Sequence, residues 1–159
     1  MVKIEIVPAR KSDAIDVFRL QKEFDAYLQS LTVKKRKNYA QKRQKAFMRY
    51  GFGKKRLFYT LIAKKGGVPV GYLCYHFGYD PDEMLGPVIH VVDLFVSSYV
   101  RGQGVGKLLM KRAADICKKK GGFAVYFCVW GKNKSAIKFY KKLGAAFDKE
   151  APFMHWFIA

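Results

Sequence analysis

Val96-Ser97-Ser98-Tyr99-Val100-Arg101-Gly102-Gln103-Gly104-Val105-Gly106-Lys107-Leu108-Leu109-Met110 is the stretch on which the reading of this chain turns. The apolar run before it, Val88 to Val96, broken only by His90 and Asp93, predicts a buried strand. After it, Leu108, Leu109, Ala113 and Ile116 recur at helical spacing, as a helix packed on a sheet requires. Strand, glycine turn and helix N-terminus together make an anion site. Glycines let the backbone come close, the first free helical N–H groups point outward, and the helix dipole favours negative charge. Arg101 and Lys107 add charge to that grip. The turn is expected to cradle a pyrophosphate.

Spacing excludes two common phosphate loops. A P-loop needs Ser or Thr after its lysine, and Lys107 is followed by Leu108. A dinucleotide fingerprint needs Gly-x-Gly-x-x-Gly and an acid about 20 residues on. Gly102-x-Gly104-x-Gly106 has a different spacing, and the region around Gly121 and Gly122 offers no such acid.

At 159 residues, half of them hydrophobic, the chain suits one globular domain, 1–159. Lys3, Glu5 and Arg10 interrupt the N-terminal apolar residues, so no secretory signal is expected, and no apolar run approaches the roughly 20 residues of a membrane span. Cys74, Cys117 and Cys128 lack Cys-x-x-Cys spacing and read as buried thiols in a reducing, cytoplasmic compartment. His76, His90 and His155 have no ligand spacing, so no metal site is expected. Lys plus Arg number 31 against 12 Asp plus Glu, a net charge of +19 that attracts anions generally. The densest basic run, Lys34 to Lys45, reads as a solvated helical face, with nucleic-acid binding as the alternative.

Along the chain, Val2–Val7 alternates into a strand, and Ser12 is the expected N-cap of a helix with apolar residues from Ala14 to Leu28. A basic helix is expected over about 34–49, ending at Gly51 and Gly53. Strands Leu57–Ala63 and Val68–Phe77 flank a hairpin turn at Lys64-Lys65-Gly66-Gly67. A loop at Asp80-Pro81-Asp82-Glu83 precedes the Val88–Val96 strand. Beyond the glycine turn and its helix come a strand, Phe123–Trp130, and a helix, Asn133–Leu143, capped by Asn133 or Ser135 and stopped by Gly144. A last strand is expected at Phe153–Ile158. This order is that of one mixed α/β domain.

With that order in view, Arg101-x-x-Gly104-x-Gly106 resembles the Gln/Arg-x-x-Gly-x-Gly/Ala motif of the GNAT superfamily of N-acetyltransferases. Asn133-x-x-Ala136-Ile137-x-Phe139-Tyr140-x-x-Leu143-Gly144 is similar to the family's second signature. The diamine and polyamine branch is resembled further by Gly51-Phe52-Gly53, Phe58-Tyr59, Leu61-Ile62-Ala63, Val70-Gly71-Tyr72, Tyr79-Asp80-Pro81, Asp93-Leu94-Phe95-Val96 and Phe139-Tyr140-Lys141. The resemblance implies an α/β (α+β) fold: a mixed, mostly antiparallel sheet of six to seven strands, splayed at its centre and flanked by about four helices. It also implies acetyl-coenzyme A as donor and a homodimer.

Carried over residue by residue, the resemblance implies that Leu94, Phe95 and Val96 border the acetyl group and pantetheine. Arg101, Gly102, Gln103, Gly104, Val105, Gly106 and Lys107 would hold the pyrophosphate, and Asn133 and Ala136 would lie near the cofactor. A β-bulge is expected near Asp93 to Phe95. An alkyl ammonium is less than about 0.1% neutral at pH 7, so the acceptor must lose a proton before it attacks. Tyr140 resembles the family's general acid, and a phenol is protonated at neutral pH and able to donate to the departing sulfur. Asp93, an acid inside an apolar strand, is expected to bind the substrate ammonium or join a water relay to it; a buried salt bridge or a hydrogen bond to a nearby turn is the structural alternative. Tyr27, Tyr126, Trp130 and Trp156 are candidate acceptor-pocket walls, core packing being the other reading.

Two departures bear on the acceptor. The branch carries a glutamate before the aspartate that Asp93 matches, and here that residue is Val92. A second acidic substrate contact is replaced near Pro152, with Glu150 close by. The expected activity is acetyl transfer to a primary amine: a small amine, a diamine or polyamine, or an amino acid. Modification of a protein or ribosomal substrate, and a nucleic-acid-binding protein on the same scaffold, are the alternatives.

Overall fold

In the computed structural model, residues 2–35, 39–80 and 86–147 are described. Strand β1 (Ile4–Pro8) leads through a 3-10 turn, Lys11–Asp13, into α1 (Ala14–Ser30) and α2 (Ala40–Gly51). Strands β2 (Tyr59–Lys65), β3 (Val68–Asp80) and β4 (Gly86–Val96) follow, then a 3-10 turn at Ser98–Val100 and α3 (Val105–Lys119). Strand β5 (Ala124–Phe127) and α4 (Lys134–Lys142) complete the described elements. Two compact units result, Met1–Cys128 and Val129–Ala159.

The first unit holds one sheet in the order β1-β2-β3-β4-β5. Neighbours are antiparallel except β4 and β5, which run parallel. Lys65 pairs with Val68, so Gly66 and Gly67 form a two-residue hairpin loop with φ of 58° and 82°. Two consecutive positive φ angles are the geometry whose twist matches that of the strands, and glycine adopts it without a Cβ penalty.

Helices cover both faces of β3. On one, Ala14, Val17 and Leu20 of α1 and Phe47 of α2 bury against Ile62, Tyr72, Cys74 and Phe95. Full burial of a side chain such as Leu20 is worth about 1.5–3 kcal/mol. Phe47 meets the rings of Phe18, Phe52 and Phe58 at 5.3–5.5 Å. Helix α3 packs on the sheet through Val105, Leu109, Met110, Ala113 and Cys117.

Several boundaries differ from the sequence reading. Ser12 is not the N-cap of α1: the chain coils one turn earlier, and Asp13 Oδ2 accepts the Arg10 N–H at 2.7 Å. The basic helix begins at Ala40, and β5 is four residues long. In α3 the buried face uses Met110 and Cys117, while Leu108 is 39% exposed. Cys128 is exposed, unlike Cys74 and Cys117. Five strands and four α-helices are present among the described residues; the expected Phe153–Ile158 strand, Glu150, Pro152 and Trp156 lie outside them.

Candidate active site

The glycine turn closes one end of β4. Gly102 and Gly104 have φ of 80° and 82°, a region that disfavours any residue with a Cβ. Gly104 is the N-cap of α3, and the Leu108 N–H makes a 3.0 Å bond to its carbonyl. The amides of Val105, Gly106 and Lys107 precede that bond and so lack intrahelical acceptors. A Cβ at Gly102 or Gly104 would meet no atom within 4 Å, so the turn opens outward. Open space, free amides and the positive end of a 15-residue helix fit a phosphate group.

Around the turn, the expected phosphate ligands hold protein partners. Arg101 Nε donates to the Val96 carbonyl at 3.0 Å, and its guanidinium carbon lies 4.6 Å from the Tyr27 ring and 5.6 Å from that of Phe95. Gln103 Oε1 accepts from Lys65 Nζ at 2.8 Å, while Lys107 is exposed. Buried Ser97 donates to Glu23 Oε2 at 2.7 Å, and its N–H bonds the Val70 carbonyl. These bonds tie the end of β4 to α1 and to β3.

The β4 edge before the turn is open. β5 pairs with Val88–Val91 alone, so Val92 to Val96 have no β5 partner among the described residues. Beside Leu94 and Phe95 that edge has no strand partner among the described residues, and at its end the Val96 carbonyl accepts from Arg101. Phe95 is itself buried, with its ring 5.3 Å from Phe24 and 6.4 Å from Tyr72.

On the other edge of β4 the ladder slips by one residue. Asp93 pairs with Cys74 and Val91 with Tyr75, so Val92 is the bulged residue, directly before the expected position. Val92 is 60% exposed. The slip changes which side chains share a face. His90 pairs with His76 and Asp93 with Cys74, and only Tyr75 lies between Cys74 and His76. His90 and Asp93 therefore face the same side, which a regular strand forbids for residues three apart.

One polar strip runs along that face. The buried Tyr72 hydroxyl has no hydrogen-bond partner among the described residues. Burial, and then the charge of Asp93, push its pKa well up. Burial also raises the Asp93 pKa, Arg43 opposing and Asp25 reinforcing the rise. Arg43 of α2 makes a 2.8 Å ion pair with Asp25 of α1. Further along, the His76 and His90 rings stack with centroids 5.0 Å apart, and the Tyr126 ring lies 5.5 Å from His90. Tyr126 donates to Asp80 Oδ2 at 2.6 Å. Burial, then His76, lower the His90 pKa. The sequence reading missed the histidines because their spacing was tested for metal alone. Among the described residues no metal-binding cluster occurs.

The basic run has several uses. Arg43 is committed to Asp25, whereas Lys45 and Arg49 line a shallow groove with Lys11, Phe18, Gln44 and Met48. Among the described residues no helix is long and apolar enough to cross a membrane.

In the second unit, Asn133 is the N-cap of α4 and its side chain accepts the Ala136 N–H at 3.1 Å, as expected of one of the two named caps. Gly144, with φ of 89°, ends the helix, and the Ala145 N–H returns to the Tyr140 carbonyl. Tyr140 is half-buried, its ring 5.1 Å from that of Phe139. Trp130 is 39% exposed, with Lys132 Nζ 5.8 Å from its ring.

Known proteins share this architecture. A family model described as "Acetyltransferase (GNAT) family" matches residues 20–145. Thialysine N-epsilon-acetyltransferase of Mus musculus is 29% identical over 153 residues, covering 91% of this chain and 85% of the mouse protein. A spermidine/spermine N(1)-acetyltransferase-like protein of Homo sapiens is 32% identical over 105 residues, 62% of this chain and 15% of the human one. In fold, an integron cassette protein from the mobile metagenome of V. cholerae superposes with a TM-score of 0.80 at 23% identity, covering 98% of this chain and 93% of the other. The family match over most of the chain and the named relatives agree: the chain belongs to the acetyltransferase (GNAT) family and is an N-acetyltransferase.

Proposed function

We propose that this chain uses acetyl-coenzyme A to acetylate a primary amine on a small molecule, with 1–159 working as one intracellular catalytic domain and as a homodimer. The observation that carries the donor assignment is the β4 edge from Val92 to Val96, which has no β5 partner among the described residues and runs into the N-terminus of α3. When bound, the donor supplies an activated acetyl thioester. Leu94, Phe95 and Val96 would align its arm, the amides after Gly104 with Arg101 and Lys107 would hold its phosphates, and Asn133 and Ala136 would border it. Asp93 would orient the ammonium, and Tyr140 would protonate the departing sulfur.

Charge supports a choice of acceptor. At a net +19 the protein repels a polycation at long range, and Val92 removes one acid that would offset this. An amino acid bearing a side-chain amine carries a compensating carboxylate. The thialysine specificity in the mouse relative's name supports the same class. Tyr27, Tyr126 and Trp130 are the candidate walls of the acceptor pocket.

The test is release of free coenzyme A with a panel of amino acids, diamines and polyamines. Turnover is expected on at least one amine, greatest for amino acids with a side-chain amine. Tyr140→Phe should lose ~10²-fold or more in kcat. No turnover on any amine, or full activity in Tyr140→Phe, would overturn the reading.

A further inference from the structure

On the face of the sheet that α1 and α2 cover, most polar side chains are matched. Ser97 donates to Glu23, and Cys74 is bonded to Thr60 at 3.3 Å. Above them, Arg43 donates to both oxygens of Asp25 at 2.9 and 2.8 Å. The Tyr72 hydroxyl and the Asp93 carboxylate are left over, with no hydrogen bond or ion pair among the described residues. We infer that these two groups form one acceptor subsite: the Tyr72 hydroxyl oxygen accepts an N–H of the ammonium that Asp93 holds, and so selects a primary amine. This rests on the amine-acetylating function proposed above.

Three observations meet at Tyr72. The first is reach. Tyr72 pairs with Phe95 and Cys74 with Asp93, in regular register, so all four side chains share one face. Tyr72 and Asp93 are therefore diagonal neighbours, about 7–8 Å apart at the backbone, a span that an aromatic side chain crosses. One ammonium seated between the two side chains can bond both.

The second is an unmet bond. Tyr72 is fully buried in the cluster that holds Val17, Leu20, Ile62 and Phe95. A hydroxyl kept there without a partner costs stability, and phenylalanine would fill the same space without that cost. Packing does not account for the hydroxyl, whereas a ligand bearing an N–H does.

The third is charge. Arg43 bears on Asp93 but is bonded to Asp25, whose charge works against it. Neutralising the Asp93 carboxylate is thus left to a cation from outside the chain. The Tyr72 hydroxyl stays a neutral phenol, because burial and the Asp93 charge hold its proton on. Carboxylate and phenol oxygen together offer two acceptors, and an ammonium brings donors and positive charge at once.

This arrangement sets a preference among amines. A primary ammonium has one N–H for Asp93, one for Tyr72 and one to lose before attack. An N-methylated amine would turn its methyl group to the buried hydroxyl and leave that hydroxyl unpaired.

Tyr72→Phe tests the inference, because it moves stability and acceptor binding in opposite directions. The variant should melt at or above the wild-type temperature, while KM for a primary amine rises about 10–100-fold. KM for acetyl-coenzyme A should stay within about twofold of the wild type, since the donor does not touch this hydroxyl. Calorimetric titration of the coenzyme A-loaded protein with the same amine should show the same loss of affinity. The wild type should prefer a primary amine to its N-methyl derivative, and Tyr72→Phe should narrow that preference. An unchanged amine KM, an unchanged preference, or a melt well below the wild type would overturn the inference and leave the proposed function standing. Failure of the wild type to acetylate any amine would overturn the proposed function, and this inference with it.

Discussion

The guanidinium carbon of Arg101 sits 4.6 Å from the centre of the Tyr27 ring, joining the glycine turn to α1. Arg101 also bonds the Val96 carbonyl. One side chain thus touches the strand end, the turn and the helix that covers the Asp93 face. The Tyr27 ring also holds a cation of the glycine turn.

That contact makes Tyr27 matter for the donor. Arg101→Ala should weaken coenzyme A binding about tenfold, and Tyr27→Leu by a smaller factor through loss of the ring that positions the guanidinium. Calorimetric titration checks both, and the Arg101 effect should shrink in high salt.

Gly104→Ala should destabilise the protein by about 1–2 kcal/mol, the cost of forcing an L-residue to a φ of 82°. Coenzyme A affinity should fall as well, since the N-terminal turn of α3 depends on that geometry. Urea denaturation separates the two effects.

Tyr72→Phe removes a buried hydroxyl without a partner among the described residues. Desolvating such a group costs about 1–3 kcal/mol, so the variant should be as stable as the wild type or more so. A thermal melt showing marked destabilisation would contradict this.

Asp13 and Lys64 form a part-buried ion pair at 2.8 Å between the start of α1 and β2. Burial pushes the Asp13 pKa up, but the bonds from Lys64 and the Arg10 N–H outweigh it and the net shift is downward. A carboxylate with a lowered folded-state pKa stabilises above its unfolded pKa, and that stability disappears as pH falls through the folded value. Lys64→Met should therefore cost about 1–3 kcal/mol at pH 7 and progressively less below pH ~4. Denaturation at several pH values checks it.

The folded His90 has the opposite consequence from an ion-paired histidine. Its folded-state pKa lies below the unfolded one, so the unfolded chain binds the proton first and stability falls as pH drops below about 6.5. His90→Phe should flatten that acid loss, as urea midpoints between pH 7 and pH 5 can show.

Local signals carried much of the fold. Gly66-Gly67 marked a hairpin because only that turn type accepts two positive φ angles. Asn133 marked a helix start and Gly144 its end, and both hold. Where neighbours decide, the reading slipped. Leu108 has the right spacing for the buried face of α3, yet the helix turns Met110 and Cys117 inward instead. Cys128 looked like a core thiol and is exposed, because β5 ends at Phe127.

The sequence by itself determined the donor side of this protein. A glycine turn between strand and helix is local geometry, written in the residues that can adopt positive φ and leave amides free. That His90 and Asp93 share one face of the sheet was decided only by the tertiary structure. Three residues apart on one strand, they read as opposite-facing under a period of two. Pairing with β3 slips the register at Val92 and turns them to one side. A register belongs to two strands at once, and neither strand's sequence states it alone.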